Sequence, residues 1–341
     1  MTLIDDDIDS TADSTGSTGN AVRSFRRRRR GRPRTPTDHE RELRRIDDEL
    51  AAGEPGPARR ARLLVERAGT SGVPGDLTAA RVAVDAGLRG HQDHCELALL
   101  RAELDLDEGR PGRVAGRLVT AGVDASAEGL AVLGDAEAQL GHLAHAEGNY
   151  RAALTADFSW RAKAGLARLA AQAGDRGAAD MRYGELETGL PATSHALAVV
   201  RAQRALMASA TGAPVIAWAH VQAARVACSG CWVVAVAAAR VMHRAHRLDA
   251  AVGWWGVAIG AAPRPELMRE LADVLVAKRA PDAARRWYAM ALAAYLASAG
   301  RGEAVHLRHL ADYYAEVAGD RRAAAIWAER ARAAAHEPLA G

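Results

Sequence analysis

Residues 23–34 hold eight arginines and no acid, within a segment that reads FRRRRRGRPRTP from Phe25 to Pro36. Guanidinium groups packed this densely on an extended chain suit a polyphosphate backbone, and contacts of that kind weaken steeply with salt. A second constellation lies further along. Cys228 and Cys231 enclose Ser229-Gly230, and His243 and His246 follow. A Cys-x2-Cys with a later histidine pair has the elements of a tetrahedral zinc site. These two histidines stand closer together than such sites use, however, and a helical reading accounts for every member of the set. Cys228 ends one helix pair, Ser229-Gly230 turns, Trp232 opens the next helix, and His246 occupies a turn. The expectation is no metal and no cofactor. A third group, His91, His94 and Glu96 around Cys95, reads as exposed polar side chains with one packed thiol. There is no Walker loop, no dinucleotide glycine fingerprint and no nucleophile elbow, so the chain is expected not to be an enzyme.

The bulk of the chain sets the frame for these groups. Apolar residues make up 49% of 341, enough for a sizeable core. Alanine dominates and there are two Phe, a composition that favours closely packed helices over sheets. Charge is segregated. Residues 1–22 carry five Asp and no base, residues 23–34 carry the eight arginines, and the remainder holds 37 bases and 37 acids. The body therefore has no overall pull on nucleic acid. Three cysteines argue for a reducing compartment, and the acidic N-terminus lacks the basic start and apolar run of a secretory signal. The most apolar stretch, CWVVAVAAA, is short of a membrane span. A cytoplasmic location with no membrane partner is expected.

Residues 1–36 combine charge blocks with small polar residues and are expected to be a disordered tail, acidic and then Arg-rich. Over 37–53 a charged amphipathic helix is predicted. Thr37 with Glu40 has the form of a capping box, and Leu43, Ile46 and Leu50 make one apolar stripe. From residue 57 to 336 a repeat runs through the chain, with residues 337–341 as a disordered end. Turns are predicted at Gly75, Gly109, Gly141, Gly174, Gly212, His246, Arg279 and Gly319, most of them 32–34 residues apart, with longer steps of 38 and 40. A small residue follows every turn but that at Gly109 in step, at Ala80, Ala146, Ala179, Ala217, Ala251, Ala284 and Ala324, and Tyr150, Tyr183 and Trp255 come one helical turn later. The small residue lets two helices approach while the ring fills the space beside it.

On Leu133-Gly134, Gly141, Ala146, Tyr150 and Ala153, and again on Ala251, Trp255, Ala258 and Pro263, the chain resembles the tetratricopeptide repeat (TPR) family. The second unit departs from the pattern, with Val114 and Leu118 at the small and aromatic positions. The resemblance implies an all-α superhelical solenoid of about eight helix pairs, open along an inner groove lined by first helices. It also implies a partner peptide or helix in that groove. The matching positions carry Arg161, Arg168, Arg204, Arg240 and Arg244 near the middle, a basic centre suited to an acidic segment, with acids such as Glu103, Asp107 and Asp135 toward the flank. In the tail, the RGRP of Arg30–Pro33 resembles the core of an AT-hook. Gly31 permits close approach to the minor groove, Arg30 and Arg32 reach into it, and Arg26, Arg27, Arg28, Arg29 and Arg34 add phosphate contacts. The expected function is a non-enzymatic scaffold or adaptor that binds a protein or peptide. The alternative is a nucleic-acid-associated regulator tethered to DNA through the tail.

Overall fold

The computed structural model describes residues 35–53, 56–90, 94–192 and 194–339. The segments 1–36 and 23–34 singled out above thus lie wholly or almost wholly outside the described residues. Every regular element among them is helical. Helix α1 (Asp38–Ala51) begins at the expected capping box: the Thr37 hydroxyl accepts from the Glu40 N–H, and the Glu40 carboxylate accepts from the Thr37 N–H at 2.8 Å. Of its apolar stripe, Ile46 is fully buried.

Eight antiparallel hairpins follow: α2 (Pro57–Ser71) with α3 (Pro74–Gly90), α4 (Cys95–Asp107) with α5 (Val114–Thr120), and α6 (Ala127–Leu140) with α7 (Leu143–Ala156). Then come α8 (Trp160–Gln172) with α9 (Arg176–Gly189), α10 (His195–Ala210) with α11 (Pro214–Ala227), and α12 (Trp232–Arg244) with α13 (Leu248–Ala261). The last two are α14 (Pro265–Ala277) with α15 (Pro281–Gly300), and α16 (Leu307–Glu316) with α17 (Arg321–Ala335). The long steps of the repeat are absorbed by the sixteen-residue α10 and the twenty-residue α15.

The turns share one backbone geometry. His246 and Arg279, which replace glycine in two units, are the non-glycine residues with positive φ among the described residues, at 57° and 61°. The hairpin imposes a left-handed residue there whatever the side chain, at a cost of about 1 kcal/mol. The first turn differs from the sequence expectation. Gly72 (φ 66°) takes it, while Gly75 lies inside α3. Pro74, favoured in the first turn of a helix, starts α3 before Gly75 is reached.

Packing follows the small-then-large rule. Tyr150 is fully buried between Gly134 and Gly165; a Cβ at either glycine would run into its ring. Val114 and Leu118 fill the corresponding positions of the second hairpin and are fully buried. Ala324 is only half-buried, and α17 buries no residue.

The superhelix winds tightly enough for successive turns to touch. Trp232 at the start of α12 lies over Gly72 and donates from Nε1 to the Thr70 carbonyl (3.1 Å). The Ser229 carbonyl accepts from the His39 N–H (3.1 Å), and the Asp38 carboxylate accepts from both the N–H and the hydroxyl of Ser229. One unit on, Arg110 donates to the Gly302 carbonyl, and Gly112 and Gly116 leave room for residues 335–339. Glu337, assigned by the sequence to a C-terminal tail, pairs there with Arg113. The expected open spiral is instead a spiral whose first and second turns are bonded together.

Candidate functional site

The inner faces of α2, α3, α4, α6 and α8 line a half-open hollow of about 1400 Å³, bordered from the next turn by residues 264–266 and 301–306. Its wall is charged. Seven arginines (81, 101, 110, 161, 168, 264 and 301) face seven acids (85, 103, 107, 108, 135, 266 and 303). Arg161 pairs with Glu103 (2.9 Å) and Asp135 (3.3 Å), and Arg168 pairs with the same Asp135 (2.6 Å), which also accepts from the Tyr150 hydroxyl. Arg264 and His306 flank Glu266. Burial opposes ionisation of that carboxyl, but His306 and Arg264 outweigh it and hold it down to about 2. Asp107 is the lining acid with no ion pair among the described residues. Its carboxyl is reached by water in the hollow but crowded by protein; that confinement, with Glu103 beside it, pushes it up to about 6.

Behind this wall Asp105 is fully buried and shared by Arg101 (2.9 Å) and Arg117 (2.8 Å). Nothing in the sequence pattern separates Asp105 from Asp107, yet one ties α4 to α5 and the other faces the hollow. The five arginines read as a basic centre divide. Arg161 and Arg168 line the hollow, and the other three do not. Arg204 pairs with Asp180 and Glu187, Arg240 with Glu270, and Arg244 donates to the Leu206 carbonyl on an exposed stretch. The nucleic-acid candidates Arg26–Arg30, Gly31, Arg32 and Arg34 lie outside the described residues.

The Cys-x2-Cys turn forms a separate cluster. Cys228 and Cys231 are both buried, and their partner is His195, the first residue of α10. The three ligand atoms lie within 4.8 Å of one another, with the Cys231 Sγ 3.4 Å from the His195 Nδ1. Cys228 donates to Cys231, which holds the Cys231 thiol down against its burial, with His195 helping; Cys228 itself is pushed up by the same bond. Burial disfavours the His195 cation, but Cys231 outweighs it and raises the imidazole. Near α4, Cys95 is exposed rather than packed, with its thiol toward the Ala121 carbonyl, and Glu96 is taken by Arg62. Trp254 packs edge-on against Trp218 beneath Arg225. No helix among the described residues is long and apolar enough to cross a membrane.

The fold is a TPR solenoid. Fifty-three chains of solved structures match it. A chain of the APC/C hetero-tetramer Cut9–Hcn1 superposes with a TM-score of 0.58 at 17% identity over 87% of this chain, which spans 60% of that one. A tetratricopeptide repeat protein from Parabacteroides merdae matches at 0.51 and 18% identity, over 70% of this chain and 99% of its own. The human IFIT1 dimer with m7Gppp-AAAA matches at 0.54 and 12% identity, over 85% and 76%. No family model matches the sequence, and no curated protein matches it. At these identities the likeness is one of fold.

Proposed function

We propose that this protein is a non-enzymatic scaffold that takes an extended segment of a protein partner into its central hollow. The observation that carries the reading is the hollow itself. At about 1400 Å³ it is larger than the roughly 300–1,000 Å³ of pockets that enclose a drug-sized ligand, and its wall is made of side chains from five different helices. Seven arginines against seven acids give it no net charge, so recognition is local rather than a broad attraction. The local feature that suits an acidic residue is Arg168. Its side chain stays 44% exposed, and it shares its one carboxylate partner with Arg161. An incoming carboxylate meets two guanidinium groups there. Binding of a peptide in a repeat array's inner wall is a common use of such superhelices. Affinity capture by the full chain, compared with Arg168→Glu and Arg204→Glu, tests the reading. Partners should be lost with the first substitution and kept with the second, which lies outside the hollow. Capture unchanged by Arg168→Glu overturns it.

A second reading rests on residues 23–34. Eight arginines without an acid would tether the array to nucleic acid through phosphates, with RGRP in an A·T-rich minor groove. Retention of the full chain on duplex DNA should fall steeply with salt and vanish on removal of residues 1–36. Retention that survives that removal eliminates this reading.

A further inference from the structure

We propose that Cys228, Cys231, His195 and His39 form a four-ligand site for a zinc-class divalent metal that staples α1 and α10 to the turn leading into α12. Three of the donors are already in place, all within 4.8 Å of one another. In a tetrahedral site with Zn–S of about 2.3 Å and Zn–N of about 2.1 Å, sulfur and nitrogen stand about 3.6 Å apart. The Cys231 Sγ to His195 Nδ1 distance is 3.4 Å, so an ion needs almost no rearrangement of that edge.

His39 is the residue assigned as the fourth donor; it stands outside the three-atom cluster and would have to turn toward the ion. Its side chain is 7% exposed, and its Nδ1 is buried with no hydrogen-bond partner. A native core seldom leaves an imidazole nitrogen in that condition without a use for it. A side-chain rotation is needed to bring the ring within the 4.8 Å that the other three donors keep among themselves. Its backbone is fixed over the cysteine turn by the His39 N–H to Ser229 carbonyl bond, and Asp38 holds Ser229 from the same side. Gly230 (φ 80°) bends the turn so that both sulfurs face one way. Thr37 sits where a Cβ at Gly230 would project, 2.8 Å from the Thr37 Cβ, so the close seating of α1 depends on this glycine.

The donor set selects the metal. Two thiols and two imidazoles, with no carboxylate or carbonyl, suit zinc and exclude magnesium and calcium as preferred occupants. Four protein ligands describe a closed, structural site rather than a catalytic one. A cleft of about 370 Å³ bordered by Arg225, Trp254 and Val257 reaches both cysteines and gives an ion a way in. His243 and His246, the histidines that the sequence sets downstream of the pair, belong to the other end of α12. Twelve residues of helix put His243 about 18 Å from Cys231.

Cobalt(II) tests the site by its colour. The full chain, reduced and chelator-stripped and carrying no histidine tag, is titrated with Co(II). One equivalent should bind with thiolate-to-cobalt charge transfer and the strong visible bands of tetrahedral cobalt, and one equivalent of Zn(II) should bleach them. Cys231→Ala and His195→Gln should abolish the bands, and His39→Gln should weaken binding by at least about tenfold. His243→Gln should change nothing, and circular dichroism checks that each variant is folded. The unaltered chain decides the matter independently of any variant: no tetrahedral spectrum in the reduced protein overturns the site. So does a spectrum that survives Cys231→Ala or depends on His243. A Cys228–Cys231 disulfide formed in air, with no cobalt binding after reduction, would make the pair a redox dithiol and also overturn it.

Discussion

The seams within hairpins and the seams between turns of the spiral are built on different principles. Within the array, Tyr150 between Gly134 and Gly165 is a local device repeated at a fixed period, apolar and interlocked. Between turns, contact is polar and made once at each place: Asp38 and His39 on Ser229, Trp232 on Thr70, Arg110 on Gly302. The first kind makes each hairpin stable against its neighbours. The second adds little apolar burial but decides whether the spiral is open or shut, and so whether the hollow is a groove or a chamber.

Cutting an internal seam should do the greater damage. Tyr150→Ala removes a fully buried ring and its hydroxyl bond to Asp135, and should cost about 4 kcal/mol in urea unfolding of the whole array. Trp232→Ala removes the ring over Gly72, its bond to Thr70 and its contact with Arg264; a loss of about 2 kcal/mol is expected. The form of that loss matters more than its size. Amide exchange should accelerate in α1 and α2 and leave residues 127–189 as protected as before. If exchange rises evenly along the chain, the contrast between the two kinds of seam is wrong.

Asp38→Asn should cost about 1 kcal/mol with the same local pattern. Acid should mimic it. The two Ser229 bonds hold the Asp38 carboxyl below its ordinary value of 3.8. A lowered carboxyl stabilises the folded state above that value, and the contribution disappears as pH falls through the folded-state value. Exchange in α1 should therefore accelerate below about pH 3.8, and the acid response should be absent in Asp38→Asn. The smallest effect has the opposite sign. His246→Gly relieves a left-handed residue while loosening the unfolded chain, for a net gain of about 0.5 kcal/mol in thermal unfolding, and Arg279→Gly should add to it independently.

The periodic seams were legible in the sequence. The Thr37–Glu40 box, the Ala146–Tyr150 and Ala251–Trp255 pairs and the turns at His246 and Arg279 each follow from rules spanning a few residues. The first turn departs from them, at Gly72 rather than Gly75, because Pro74 starts the next helix. The seams between turns were not legible. Ser229 and Asp38 are 191 residues apart, and their meeting depends on the small rotations of five successive hairpins summed to one full turn. No local pattern carries that sum. For the same reason the sequence set the Cys-x2-Cys pair beside His243 and His246, which are near in number, while the fold brings it His195. The hollow was legible in kind but not in charge. Arg161 and Arg168 could be placed on an inner face, and so could Glu103 and Asp135, but not the pairing that neutralises them.

Because the first hairpin abuts the sixth across the seam at Trp232, the array is counted as well as stacked. In an open filament of repeats, gaining or losing one unit merely lengthens or shortens the thread. Here a duplication anywhere between Gly72 and Ser229 would carry Ser229 and Trp232 past their partners by one step and leave Asp38 and Thr70 facing strangers. Descendants of this chain should therefore keep the tally of units in its first circuit fixed.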